Sequence, residues 1–243
     1  MRTSTRRPVL AVCALVPALV LTACAGGSGG SPEPSMPAAT TPAAEPSTPA
    51  PADPGVATDV TTEDLLPATA WDPPGGPREE SAGVVEWRLP ESCAVGAPEG
   101  AVAMRTASHG DGAEEAQVGV QQVAVLPDPD AAVAEADRIA AALDGCTAPD
   151  GSETTYVRED LPVGAQGAGL ATAYSADAAA DPAALDGALG SYLALTRRGT
   201  AITLVALEGG ESTVGAARED VTAQVQQAWE LLCRFDAAGC STS

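Results

Sequence analysis

From Ala25 to Thr58 the chain offers almost nothing from which a core could be built. The stretch GGSGGSPEPSMPAATTPAAEPSTPAPADPG is nearly all Ala, Gly, Pro, Ser and Thr. So little large apolar surface cannot offset the entropy of folding. A Gly/Ser-rich start followed by Pro-rich sequence is the composition of a linker, flexible first and more extended afterwards. Compact structure is thereby confined to residues 59–243, a normal size for one domain. Even there large apolar residues are sparse. Phe235 is the single phenylalanine, so the core must come from Ala, Val and Leu. Trp71, Trp87, Trp229, Tyr156, Tyr174 and Tyr192 are its few large pieces.

The segment before the linker has its own signature. Arg2, Arg6 and Arg7 precede an apolar run from Val9 to Leu21, which small residues close. This is the layout of an export signal. A membrane-spanning helix needs about 20 apolar residues, and this run is shorter and carries Pro17. Leu21-Thr22-Ala23-Cys24 resembles the lipobox of bacterial lipoproteins. The resemblance implies that residues 1–23 are removed and that the Cys24 thiol carries a diacylglyceryl group. Two acyl chains hold firmly where one binds marginally. The expected partner at this end is therefore the membrane, through Cys24, with residues 24–58 as a spacer. The expected location is the extracytoplasmic side of the cell membrane.

The formal charge of −21 becomes −24 once the three arginines of the leader are lost. There is no lysine, so every cation is an arginine. Such an acidic surface repels nucleic acid and anionic headgroups. Its bland explanation is solubility with the Ala/Asp/Glu/Arg bias of a high-GC coding sequence.

A thin core gives weight to the four cysteines of the domain, Cys93, Cys146, Cys233 and Cys240. An even count in an exported chain implies two disulfides, with three possible connectivities. Six residues separate Cys233 from Cys240, so a local clasp is easy, and that leaves Cys93 with Cys146. The two loops would contribute roughly 2.5 and 4 kcal/mol in the chain-entropy model. There is no CxxC motif for redox chemistry. One histidine and no paired spacing argue against zinc, and no metal or other cofactor is expected.

Along the domain, TTEDLL (61–66) reads as a short capped turn. Val84–Leu89 and Ala101–Ser108 read as strands, and Gln117–Leu126 as a well-buried strand. Asp128 or Asp130 caps a helix from about Asp130 to Asp144, with Pro129 in its first turn and Gly145 ending it. Its apolar face carries Ala132, Ala136, Ile139, Ala140 and Leu143. Strands follow at Thr154–Arg158 and Ala168–Ser175. A hairpin joins Ser191–Thr196 to Thr200–Leu207 around Arg197-Arg198-Gly199. Val214–Cys233 is amphipathic at helical spacing. The expected fold is α+β: a mostly antiparallel sheet of about five or six strands with two amphipathic helices packed on it.

The order of these pieces, through QQVAVLPDPDAAVAEADRIAAALDGC and LALTRRGTAITLVAL to a C-terminal helix, resembles the extracellular sensor domain of mycobacterial-type serine/threonine kinases. That domain also occurs in stand-alone actinobacterial lipoproteins. The resemblance spans roughly residues 60–233 and rests on hydrophobic patterns, with Cys93 and Cys146 as its matching cysteines. Cys233 and Cys240 depart from it, because the family's second pair flanks the late hairpin. The resemblance implies a ligand-sensing cleft without catalysis.

Chemistry-bearing residues are few. His109 is the only histidine, in the loop SHGDG, and reads as solvated rather than catalytic; no GxSxG motif accompanies it. Asp111, Glu114 and Glu115, or Asp128 and Asp130, do not match a calcium loop. Arg197 and Arg198 offer an anion site, although an arginine pair at a hairpin tip is more commonly solvated. The expectation is a non-catalytic binding or sensor-like module for a small ligand. The alternative is an accessory protein docking on another cell-envelope protein.

Overall fold

A computed structural model describes residues 55–71, 77–110, 117–209 and 212–240. Cys24, residues 25–54 of the expected linker, and the acidic loop residues Asp111, Glu114 and Glu115 lie outside them. Seven strands form one antiparallel sheet: β1 (Arg78–Ala82), β2 (Ala103–His109), β3 (Val118–Val125), β4 (Thr155–Asp160), β5 (Ala165–Ala173), β6 (Gly190–Arg198) and β7 (Ala201–Glu208). Their spatial order is β1-β2-β3-β7-β6-β5-β4. The helices are α1 (Pro129–Asp144), the short α2 (Pro182–Gly187) and α3 (Val214–Leu231).

The sheet has seven strands rather than the expected five or six, and one of them lies where no strand was expected. Val84–Leu89 is not a strand. The Gln122 side chain accepts from Arg88 N at 2.7 Å and donates to the Glu86 carbonyl at 2.9 Å. An amide side chain rising from the sheet face thus holds this segment's backbone, and the edge of β2 is left for β1. That edge strand, Arg-Glu-Glu-Ser-Ala, is exposed and charged, which protects it from pairing with other chains. It carries no hydrophobic alternation from which it could be recognised.

Alternation along β7 separates two cores. Ile202, Leu204 and Ala206 face α1, where they meet Ala132, Ala136, Ile139 and Leu143. Val205 and Leu207 face α3, with Ala217, Val221, Val225 and Ala228. The helices therefore cover opposite faces. Two-sided coverage leaves β3 and β7 buried at nearly every position. Both helix starts are capped as residue type dictates: Asp128 Oδ1 accepts from Ala131 N at 2.7 Å, and Thr213 Oγ1 accepts from Ala216 N. Of the expected large core pieces, Trp71, Trp87 and Tyr192 are buried, whereas Tyr174 is 45% exposed. Gly119 is required beneath Trp71, because a Cβ there would overlap the indole ring.

Disulfides join Cys93 to Cys146 and Cys233 to Cys240, with Cα separations of 4.8 and 4.7 Å. The first pins the irregular 83–102 segment to the end of α1. The second closes the C-terminal turn after α3. Asp64, which is buried, receives Arg234 through Nε at 2.7 Å and Nη2 at 2.6 Å. Ala57 N donates to the Arg234 carbonyl. The first described residues of the domain are therefore fastened to its last turn.

His109 corrects the expectation of a solvated loop. It ends β2, is 6% exposed, and stacks on Trp71 with ring centroids 4.8 Å apart. Arg78 Nη1 lies 3.0 Å from its Nε2. A guanidinium only donates, so Nε2 accepts and the proton resides on Nδ1. Burial, reinforced by the Arg78 cation and partly offset by Glu80, lowers its pKa to about 4. The unfolded chain takes up this proton below pH 6.5, while the native state refuses it until about pH 4. Stability contributed by the neutral ring is complete above pH 6.5 and is lost on acidification between those values. Wild type should lose about 2 kcal/mol more than His109→Gln between pH 6.5 and 4. Urea melts across that range check this, and parallel acid limbs would refute the assignment.

Candidate functional site

The β6–β7 hairpin ends at the rim of the sheet, where five other segments converge. These are the β3–α1 junction (126–129), the start of β5 at Ala165, the last turn of α3 at Trp229, and the chain at 56–58 and at 235–237. Together they enclose an open groove of about 960 Å³. Its floor is Leu126, Thr200 and Phe235, all sealed from water. Its walls are mainly small apolar residues, with the partly exposed Trp229 as the large one. Gly199 is required in the turn, since it has φ +56° and a Cβ would strike the Phe235 carbonyl, which accepts from Thr200 N at 3.0 Å.

Arg197 and Arg198 both line this groove and are not a solvated tip. Strand alternation sends them to opposite faces of the sheet, so they cannot grip one anion as a pair. Arg198, on the α3 face, lies over the Trp229 ring at 4.3 Å. It donates to the Trp229 and Gly239 carbonyls and is 3.8 Å from Asp236. Its Nε and the Trp229 Nε1 are buried without hydrogen-bond partners. The Trp229 Nε1 edge lies against Gly164.

Arg197 turns toward the α1 face. Its Nε donates to Gln166 Oε1 at 2.6 Å and its Nη1 to the Gly199 carbonyl at 2.9 Å. Gln166 in turn donates through Nε2 to Asp137 Oδ1 at 2.5 Å and to the Val133 carbonyl at 3.2 Å. Donor and acceptor chemistry on each side fixes the amide orientation. Gln166 holds φ +57°, alone among the described non-glycine residues, a conformation that costs about 1–2 kcal/mol. It sits where the β5–β6 register shifts between Ala165 and Ala168. Nothing in the sequence marked Gln166 or Asp236, because both act through tertiary neighbours.

A family-model search and a search of curated proteins return no match. Among solved structures, the extracellular domain of PknH from Mycobacterium tuberculosis is similar at 12% identity, covering 68% of this chain and 92% of that one, with a TM-score of 0.43. At that identity and score the likeness carries no functional argument. Whatever the groove does must be read from its own residues.

Elsewhere, several chemistry-bearing groups are committed to partners. A polar depression of about 750 Å³ includes Glu86, Glu91 and Glu208, and its Arg88 is paired with Glu208 at 2.9 Å. Tyr192 donates to Glu159 at 2.8 Å, and Arg218 bonds the same carboxylate. Burial, with Glu159 adding to it, raises the Tyr192 pKa beyond its usual value, so the phenol stays protonated. His109 is held by Arg78 and Trp71, and among the described residues no serine or carboxylate hydrogen-bonds its ring as a triad requires. Among the described residues no cluster of three His, Cys, Asp or Glu is placed to hold a metal, and no helix is long and apolar enough to cross a membrane.

Proposed function

We propose that this protein is a non-catalytic, extracytoplasmic binding module of the sensor-like kind, held at the membrane by a diacylglyceryl group on Cys24. The groove at the hairpin rim is the observation that carries this reading. Its volume of about 960 Å³ and its apolar walls with a few fixed polar groups are the attributes of a small-molecule site. It is also built to keep its shape: the Cys233–Cys240 disulfide and the Asp64–Arg234 pair both fasten the segments that wall it. Two disulfides suit an oxidising compartment, and the basic-apolar leader ending in Leu-Thr-Ala-Cys suits delivery to one. The lipid supplies membrane attachment without a spanning helix.

The anchor is tested by the intact mass of the protein extracted from membranes. The expected chain begins at Cys24 and carries a diacylglycerol adduct, and Cys24→Ser abolishes both. A membrane-extracted chain that lacks the adduct, or begins elsewhere, overturns this part of the reading.

A further inference from the structure

We infer that the groove takes an amphiphile with a single anionic head, the head meeting the Arg197 guanidinium and the apolar body lying along the walls beside Trp229. This rests on the groove being a binding site and specifies what it binds. The described residues contain nine arginines, and eight of them lie within ion-pair distance of a carboxylate. Arg197 is the exception. In a protein of formal charge −21, an arginine that meets no carboxylate is a cation withheld from its own surface.

The geometry shows how it is withheld. Asp137 is close enough to share a bonding partner with Arg197, and the Gln166 amide stands between them. Gln166 reaches that position only through a left-handed backbone conformation, and such strain gathers at ligand sites. With Nε fixed by Gln166 and Nη1 by the Gly199 carbonyl, the guanidinium has a set orientation. Among the described residues nothing accepts from Nη2.

Of the other charges of the groove, Asp128 accepts from Ala131 N as the cap of α1, Asp236 accepts from Ala238 N at 2.9 Å and faces Arg198, and Arg198 is spent on Trp229, Gly239 and Asp236. One unmatched cation beside an apolar trough calls for one negative charge attached to an apolar body. Carboxylate and phosphate heads both fit a guanidinium.

The test uses the mature chain with Cys24→Ser, produced without its leader, so that neither detergent nor its own acyl groups compete. Calorimetric titration below the micelle limit compares oleate, oleoyl lysophosphatidate and the neutral monooleoylglycerol, with inorganic phosphate as a head without a body. Expected are one-to-one binding of at least one anionic amphiphile, at least tenfold weaker binding of monooleoylglycerol, and none of phosphate. Oleate against lysophosphatidate separates a carboxylate from a phosphate head. Arg197→Gln should bring the anionic ligand down to the level of the neutral one, and Arg197→Lys should keep the preference. Ala165→Trp, which fills the groove from an exposed wall position, should abolish binding. Equal binding of neutral and anionic amphiphiles that Arg197→Gln does not alter refutes the head assignment and leaves the groove a binding site. No binding of any amphiphile, or binding that survives Ala165→Trp, removes the groove reading as well.

Discussion

Replacing both Cys93 and Cys146 by alanine lowers unfolding stability by about 4 kcal/mol, the loop-closure entropy of a crosslink this long. Their separation in sequence is 53 residues. The effect is large because the segment that Cys93 anchors, from Gly83 to Val102, has almost no ladder hydrogen bonds of its own. Side chains and one crosslink hold it to α1 and to the sheet. Urea melts of the double variant should show a lower midpoint and an intact Cys233–Cys240 bond. A loss below 1 kcal/mol would mean that the segment is held without the crosslink.

Glu135→Ala costs about 3 kcal/mol and lowers the melting temperature by roughly 6–12 °C. Glu135 is a charged residue on the buried face of α1, only 3% exposed. Its carboxylate accepts from Trp87 Nε1 at 2.7 Å and from Arg138 Nε and Nη2 at 2.8 and 2.7 Å. Arg138 also donates to the Val95 and Ala97 carbonyls. Removing the carboxylate strands a buried indole N–H and loosens the arginine that grips the neighbouring backbone. Truncating one member of a buried pair costs far more than the pair is worth in net stability. Trp87→Phe removes the other orphan. The cost of Glu135→Ala should therefore shrink by more than 1 kcal/mol in the Trp87→Phe background. Simple additivity in that thermal-melt cycle would show that the bond is energetically empty. Both variants loosen the same segment, so a triple replacement with the cysteines should cost less than the sum.

Periodicity showed most of the regular elements, because burial imposes it. The α1 face of Ala132, Ala136, Ile139 and Leu143 is read at 3–4 spacing in the chain and is the face that meets the sheet. The β6–β7 hairpin and α3 were legible on the same grounds. The failures share a cause. Val84–Leu89 has the apolar content of a strand, yet Gln122 and Glu135 capture its backbone and its tryptophan. Arg78–Ala82 has none of that content and pairs nonetheless. His109 belongs to a loop by its glycine neighbours, and Trp71 buries it. In each case a partner distant in sequence decides the outcome, and hydrophobic period carries no trace of it.

Sequence alone determined the fold class, because the strand and helix periods imply an α+β sheet domain. The ordered domain nonetheless starts before residue 59, since Ala57 packs on the core cluster around Val60 and Phe235. Only the tertiary structure placed the helices on opposite faces, and only it split Arg197 from Arg198. It also interposed Gln166 between Arg197 and Asp137. The reason is physical: period reports which side of an element is dry, whereas a site depends on which distant side chains meet. That is settled when the chain closes on itself.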